Sequence, residues 1–137
     1  MFYLIYVSSA VKLMTDEELI ALLEQSREKN LGLGITGMLL YKSGNFMQML
    51  EGERDTVLGL YETIRHDDRH RNVINIIGDD IKHRNFEHWS MGFYNMDKIR
   101  DLPNFSEYID QNLTSRIFQA DAKFAYKFMV SFNRNNP

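Results

Sequence analysis

The residues best placed to do chemistry are two polar side chains set inside apolar strands. Gln48 stands between Met47 and Met49 in the run Phe46-Met47-Gln48-Met49-Leu50. Strand alternation puts it on one face with Phe46 and Leu50. Tyr6, in Phe2-Tyr3-Leu4-Ile5-Tyr6-Val7, likewise shares a face with Phe2 and Leu4. If helices cover that face, an amide and a phenol are buried together. Each must then find a partner, since an unpaired buried polar group costs about 1–3 kcal/mol. The two can bond to each other or to the backbone and simply pack. They can also switch, because a glutamine amide carries an acceptor and two donors, and turning or tautomerising it reverses what it presents without moving net charge. A ligand that altered the chemistry of Tyr6 would flip Gln48 between two stable arrangements.

Sets suited to turnover are missing from the chain. His66, His70, His83 and His88 are scattered without the HExxH spacing of a metal site, and neither a GxSxG elbow nor a GxxxxGK[ST] loop occurs. Asp79-Asp80 reads as a solvated turn between strands rather than a catalytic dyad. Gly32-Leu33-Gly34-Ile35-Thr36-Gly37 runs into a strand, whereas a dinucleotide fingerprint opens a helix, so these glycines read as a tight helix-to-strand turn. The absence of cysteine excludes disulfides, thiolate catalysis and cysteine-held zinc, and leaves no metal site in view.

The elements that must position Tyr6 and Gln48 can be read in order. Phe2 to Val7 is a strand. Thr15 with Glu18 has capping-box spacing, and Leu19, Leu22 and Leu23 predict a helix over 16–29. Ile35 to Tyr41 and Phe46 to Leu50 form a hairpin around Lys42-Ser43-Gly44-Asn45. Asp55 is placed to cap a second helix carrying the stripe Val57, Leu60, Tyr61 and Ile64. Val73 to Ile77 and Trp89 to Tyr94 are two further strands. This βαββαββ order predicts an α+β, ferredoxin-like sheet with two helices on one face. After Pro103 helical segments are expected near 105–112 and 118–132, the second bearing Phe124, Phe128 and Phe132 as an aromatic ridge.

Composition bounds the function. With 137 residues, 44% hydrophobic and 26% charged, the chain fits one soluble domain. A net charge of -3 argues against nucleic acid as a partner. The basic cluster Arg65, His66, Arg69, His70 and Arg71 is interrupted by Asp67 and Asp68, which suits a site better than a nucleic-acid tract. No stretch is long and apolar enough for a membrane helix and the start lacks a signal peptide, so a cytoplasmic location is expected.

Several separated motifs together carry a resemblance. They are Tyr6-Val7-Ser8, Asn30 followed by Gly34-Ile35-Thr36-Gly37, Gly44-Asn45-Phe46-Met47-Gln48-Met49-Leu50-Glu51-Gly52, Asp67-Asp68-Arg69-His70 and Trp89-Ser90-Met91. In order and spacing over residues 1–95 the sequence resembles the BLUF family of flavin-binding blue-light sensors. The resemblance implies a photoreceptor and not an enzyme, with residues 1–97 as the flavin-binding core and 98–137 as a helical extension packed on the sheet or at an oligomer contact. It implies FAD, with FMN possible, held non-covalently since no cysteine can form a thioether. Tyr6 becomes the phenol that donates an electron and proton to the excited flavin, and Gln48 the amide between that phenol and the flavin N5 and O4 edge.

By the same resemblance Asn30 binds the other side of the pyrimidine edge, and it can also serve as a helix C-cap. Arg69 and His70 lie near the ring with Asp67 holding the arginine, although a solvated helix end would look the same in sequence. Ser8 belongs with the Tyr6 motif, Lys29 can reach a cofactor phosphate, and Leu22 and Ile35 can wall the ring. Trp89 and Met91 match residues that relay the signal from the last strand; which of them sits inside stays open at this stage. The expected partners are flavin, a second copy of the chain and/or a downstream protein, since no effector domain follows in this chain. The alternatives are a ferredoxin-like small enzyme of acylphosphatase type, or a partner- or RNA-binding module.

Overall fold

The computed structural model describes residues 1–86 and 91–95. The elements are β1 (Phe2–Ala10), α1 (Asp16–Leu33), β2 (Thr36–Lys42), β3 (Asn45–Gly52), α2 (Arg54–Arg65), β4 (His70–Asp80) and β5 (Gly92–Asn95). They form one sheet in the order β4-β1-β3-β2-β5, antiparallel throughout its first four strands, with β5 parallel to β2. Leu19 and Leu23 of α1 and Val57 and Leu60 of α2 share one core with Leu4, Tyr6, Leu39, Phe46 and Leu50. Both helices therefore cover the same face, and it is the face that carries Tyr6. This is the expected ferredoxin-like α+β arrangement.

Local chemistry explains the boundaries. The capping box at Thr15 and Glu18 forms as expected. The helix it opens runs past the expected end at Lys29 to Leu33, because Gly34, at φ +68°, takes the left-handed cap and donates back to the carbonyls of Asn30 and Leu31. Gly32 is absorbed inside the last turn. The cap of α2 is Glu53, not Asp55: its carboxylate reaches the backbone N–H groups of Asp55 and Thr56 at 3.2 and 3.0 Å. Asp55 falls in the first turn, where its negative charge favours the helix dipole.

The hairpin is tighter than four residues. Ser43 (φ 50°) and Gly44 (φ 84°) form a two-residue turn, with Lys42 and Asn45 already paired. Gly37 is required by close approach, since a Cβ there would lie 1.9 Å from the Met49 carbonyl oxygen. β4 extends well beyond 73–77, and Asp79 and Asp80 are its last paired residues opposite Tyr3 and Phe2, not a free turn. Two register irregularities against β1, and Asn72 at φ 56°, bring His70 back beside Ala10.

On the face away from the helices, Ile5, Met38, Leu40, Met47 and Met49 are also buried. The carboxylate of Glu51 on that side accepts from the N–H groups of Asn85 and Phe86, at 2.7 and 2.6 Å, and from Thr36 Oγ1 at 3.0 Å. Burial pushes its pKa up, against those hydrogen bonds and Arg84. Arg84 donates to Thr36 Oγ1 and to the carbonyls of Glu51 and Gly34, pinning the end of the β4–β5 connection to the sheet. The expected helices near 105–112 and 118–132, their aromatic ridge, and Trp89 lie outside the described residues.

Candidate functional site

A cavity of about 240 Å³ opens between α1, α2 and the helix-covered face of the sheet. Its floor is made by Tyr6, Leu39, Phe46 and Gln48. The β1–β3 register sets Tyr6 directly opposite Gln48, and the β2–β3 register sets Leu39 on the other side of Gln48. Successive turns of α1 contribute Leu22, Gln25, Ser26, Lys29 and Asn30 to one wall. Leu60, Thr63 and Ile64 of α2 form the opposite wall, and Asp67, Arg69 and His70 stand at the end of that helix.

At the inner end the polar groups form a chain. The Tyr6 hydroxyl donates to Gln48 Oε1, and Gln48 Nε2 donates to the sulfur of Met91 at 3.3 Å. All three residues are buried. Burial foremost, then Tyr61 and Asp67, push the Tyr6 phenol far above its ordinary range, so it stays protonated. The Tyr6 ring packs against Tyr61 at 5.6 Å between centroids and against His70, edge-on, at 6.3 Å.

The outer end is charged and more exposed. Arg69 grips Asp67 through Nε and Nη2, at 2.6 to 3.1 Å, and reaches across to Gln25 Oε1 of α1 at 3.0 Å. Those hydrogen bonds hold the Asp67 carboxyl below the usual range and raise Arg69. His70 Nε2 faces the Ile64 carbonyl at 2.6 Å, so it carries the proton, and in the neutral ring Nδ1 accepts from Ser8 Oγ at 2.8 Å.

The structure thus brings Tyr6, Leu22, Lys29, Asn30, Gln48, Asp67, Arg69 and His70 to one cavity. Ser8 and Ile35 lie beside this lining and not in it. Ser8 is buried and spends its hydroxyl on His70, and Ile35 packs in the core near Gly52, so neither lines the cavity. Asn30 is inside the last turn of α1 rather than at its cap, with its side chain buried and its carbonyl accepting from Gly34 and Ile35. Met14, Gln25, Ser26, Leu39, Phe46, Leu60, Thr63 and Ile64 also line the cavity and were not foreseen as site residues. Helical spacing from Leu22 and Asn30 points to Gln25 and Ser26, and strand pairing with Gln48 points to Leu39.

A family model described as BLUF, sensors of blue light using FAD, matches residues 1–92. The chain belongs to the BLUF family. Photoactivated adenylate cyclase subunit beta of Euglena longa is 32% identical over 109 residues, which is 79% of this chain and 13% of that protein. BlrB, a BLUF protein solved in its dark state, is 27% identical with a TM-score of 0.71 over 96% of each chain. BlrP1 of Klebsiella pneumoniae, solved with FMN and cyclic diGMP, is 28% identical with a TM-score of 0.75 over 98% of this chain and 36% of its own. The chain therefore spans a small part of the cyclase and about a third of BlrP1. BLUF domains bind flavin and sense blue light, and the Tyr6–Gln48 hydrogen bond fits that switch. Among the described residues no helix is long and apolar enough to cross a membrane.

Proposed function

We propose that this BLUF chain binds flavin in the cavity between its helices and sheet and signals blue light by reordering the hydrogen bonds of Tyr6 and Gln48. The donor set fits the cofactor. Leu22, Leu39, Phe46, Leu60 and Ile64 offer apolar walls for a flat fused ring, Asn30 and Gln48 offer amides for its polar edge, and Lys29 and Arg69 offer positive charge toward a phosphate tail. The volume lies below the ~300–1,000 Å³ common for small-molecule pockets, which suits an enclosed ring with its tail outside. FAD is the expected form from the family description, and FMN, present in BlrP1, needs the same ring contacts.

Bound flavin supplies a chromophore that absorbs blue light and, once excited, accepts an electron. Tyr6 would give that electron, with its hydroxyl proton moving along its bond to Gln48. Electron and proton would then both return to Tyr6, leaving a neutral Gln48 amide in the other hydrogen-bonding state. Its Nε2 no longer faces Met91, and β5 beside β2 carries the change outward to a second copy or a downstream protein. Residues 1–97 act as this sensing core, and 98–137 receive the change.

The observation that carries this reading is the buried chain Tyr6–Gln48–Met91, which leads from the cavity floor to the residue before β5. The test is a light-minus-dark absorption spectrum of purified protein, loaded in turn with riboflavin, FMN and FAD. A yellow protein with a reversible red shift of the flavin bands is expected. A colourless protein that takes up none of the three contradicts the proposal.

A further inference from the structure

Arg27 lies on the exposed side of α1 and has no part in the cavity, yet its Nε–H donates to the main-chain carbonyl of Met91 at 2.8 Å. Met91 is also the residue whose sulfur accepts from Gln48 Nε2. It is therefore held twice, by its side chain from β3 and by its main chain from α1. The two holds differ in kind. A guanidinium N–H to a carbonyl is charge-assisted, whereas a thioether sulfur is a weak acceptor. They also answer differently to the switch. When the Gln48 amide turns, its oxygen faces the Met91 sulfur, and a thioether has no hydrogen to donate, so that bond is lost. The bond from Arg27 does not depend on which way the amide points.

Two further features make the position of Met91 a defined one. Its methyl group sits 3.4 Å from where a Cβ on Gly37 would be, so the missing side chain of β2 makes its seat. Upstream, Arg84 and Glu51 fix residues 84–86 to β2 and β3. Among the described residues Arg27 is the tie from α1 at the downstream end, directly before β5.

We propose that Arg27 is a positioning residue of the photocycle: it holds Met91 in its seat beside Gln48 and so sets how fast the switch returns to rest. The proposal rests on the blue-light reading above. The bonded arrangement, the one the structure holds, is taken as the resting one. Return to rest requires Met91 to be seated again, and the Arg27 bond favours that seating.

The experiment compares the flavin-loaded native chain with Arg27→Ala and Arg27→Lys. Flavin affinity, the initial red shift, dark recovery after a blue pulse and the ¹³C-methyl signal of Met91, assigned through Met91→Leu, are measured on each. Alanine is the best helix former, so an exposed substitution in α1 leaves the fold in place. Arg27→Ala is expected to keep flavin affinity and red shift, to slow recovery about three- to tenfold, the scale of one partly exposed charge-assisted hydrogen bond, and to split or broaden the Met91 signal in the dark. Arg27→Lys keeps a charged donor and is expected to fall between Arg27→Ala and native. Unchanged or faster recovery in Arg27→Ala, with a single unshifted Met91 signal, overturns the proposal. A native chain that cycles while Arg27→Ala matches it removes this proposal alone; a native chain with no reversible red shift removes the blue-light reading with it.

Discussion

The two ends of the cavity are built from opposite chemistry. At the inner end Tyr6, Gln48 and Met91 are 4%, 4% and 1% exposed, and none carries a charge. At the rim Arg69 and Asp67 keep 47% and 31% of their side-chain surface open and hold each other as an ion pair. Water competes at the rim, so each contact there contributes little and loses little when it breaks. At the floor the side chains are almost wholly covered, so a donor without an acceptor there costs about 1–3 kcal/mol and paired arrangements are strongly favoured. A neutral amide that can be paired in two orientations then has two discrete states. The rim can hold a ligand, and the floor can remember a photon.

That contrast can be broken most sharply at Tyr6. Tyr6→Phe keeps the ring that packs on Tyr61 and His70 and removes the hydroxyl that bonds Gln48. Flavin should still bind, and the reversible red shift should vanish completely in absorption spectra. A normal red shift would move the electron donor elsewhere.

At the rim the expected effect is on affinity alone. Asp67→Ala frees Arg69 from its bidentate partner. Titration should show flavin binding about three- to tenfold weaker, the scale of a partly exposed ion pair, with the red shift of the bound fraction unchanged. Loss of the red shift would mean that the rim also takes part in switching.

A control comes from the other face of the sheet. In Glu51→Gln an NH₂ group must face one of the backbone N–H groups that the carboxylate now accepts. Urea unfolding should show a loss of about 1–3 kcal/mol, while the red shift of the folded protein stays native.

The smallest effect is expected from pH. The Tyr6 phenol is held far above its ordinary range, chiefly by burial, so the red shift should be flat from about pH 6 to 9. Above about pH 10 the unfolded chain releases this proton and the folded chain keeps it. The stability that burial gives Tyr6 is therefore complete below that pH and falls as pH rises. The rim runs the other way, since the lowered Asp67 contributes above its unfolded pKa and is lost in acid. A red shift that titrated near pH 7 would contradict a neutral floor.

Much of this was legible in the sequence, for identifiable reasons. Strand alternation grouped Tyr6 with Phe2 and Leu4 and Gln48 with Phe46 and Leu50, and the order of elements led to the sheet whose helices cover that face. The failures came where one side chain replaced another at the same task. Glu53 caps a helix that Asp55 suited equally by type, and Gly34 ends a helix that Asn30 and Gly32 seemed to stop. The bond between the Ser8 hydroxyl and His70 joins residues 62 positions apart and was not legible in the sequence. The bond from Arg27 to Met91 spans 64 positions and follows no local pattern, so only the fold reveals it.

The central claim is that a neutral amide on a buried floor is the switch, and Gln48→Leu tests it most directly. Leucine fills much the same volume and can neither donate nor accept, so it removes the two-state element and leaves Tyr6 in place. The measurement is a light-minus-dark spectrum of the flavin-loaded variant, in absorption and in the vibrational region of the flavin C4 carbonyl. The account predicts that Gln48→Leu folds, binds flavin and still transfers an electron from Tyr6 on a short timescale, with no lasting red shift and no downshift of that carbonyl stretch. A reversible red shift with the carbonyl downshift intact would show that Gln48 only packs the core and that the switch lies elsewhere.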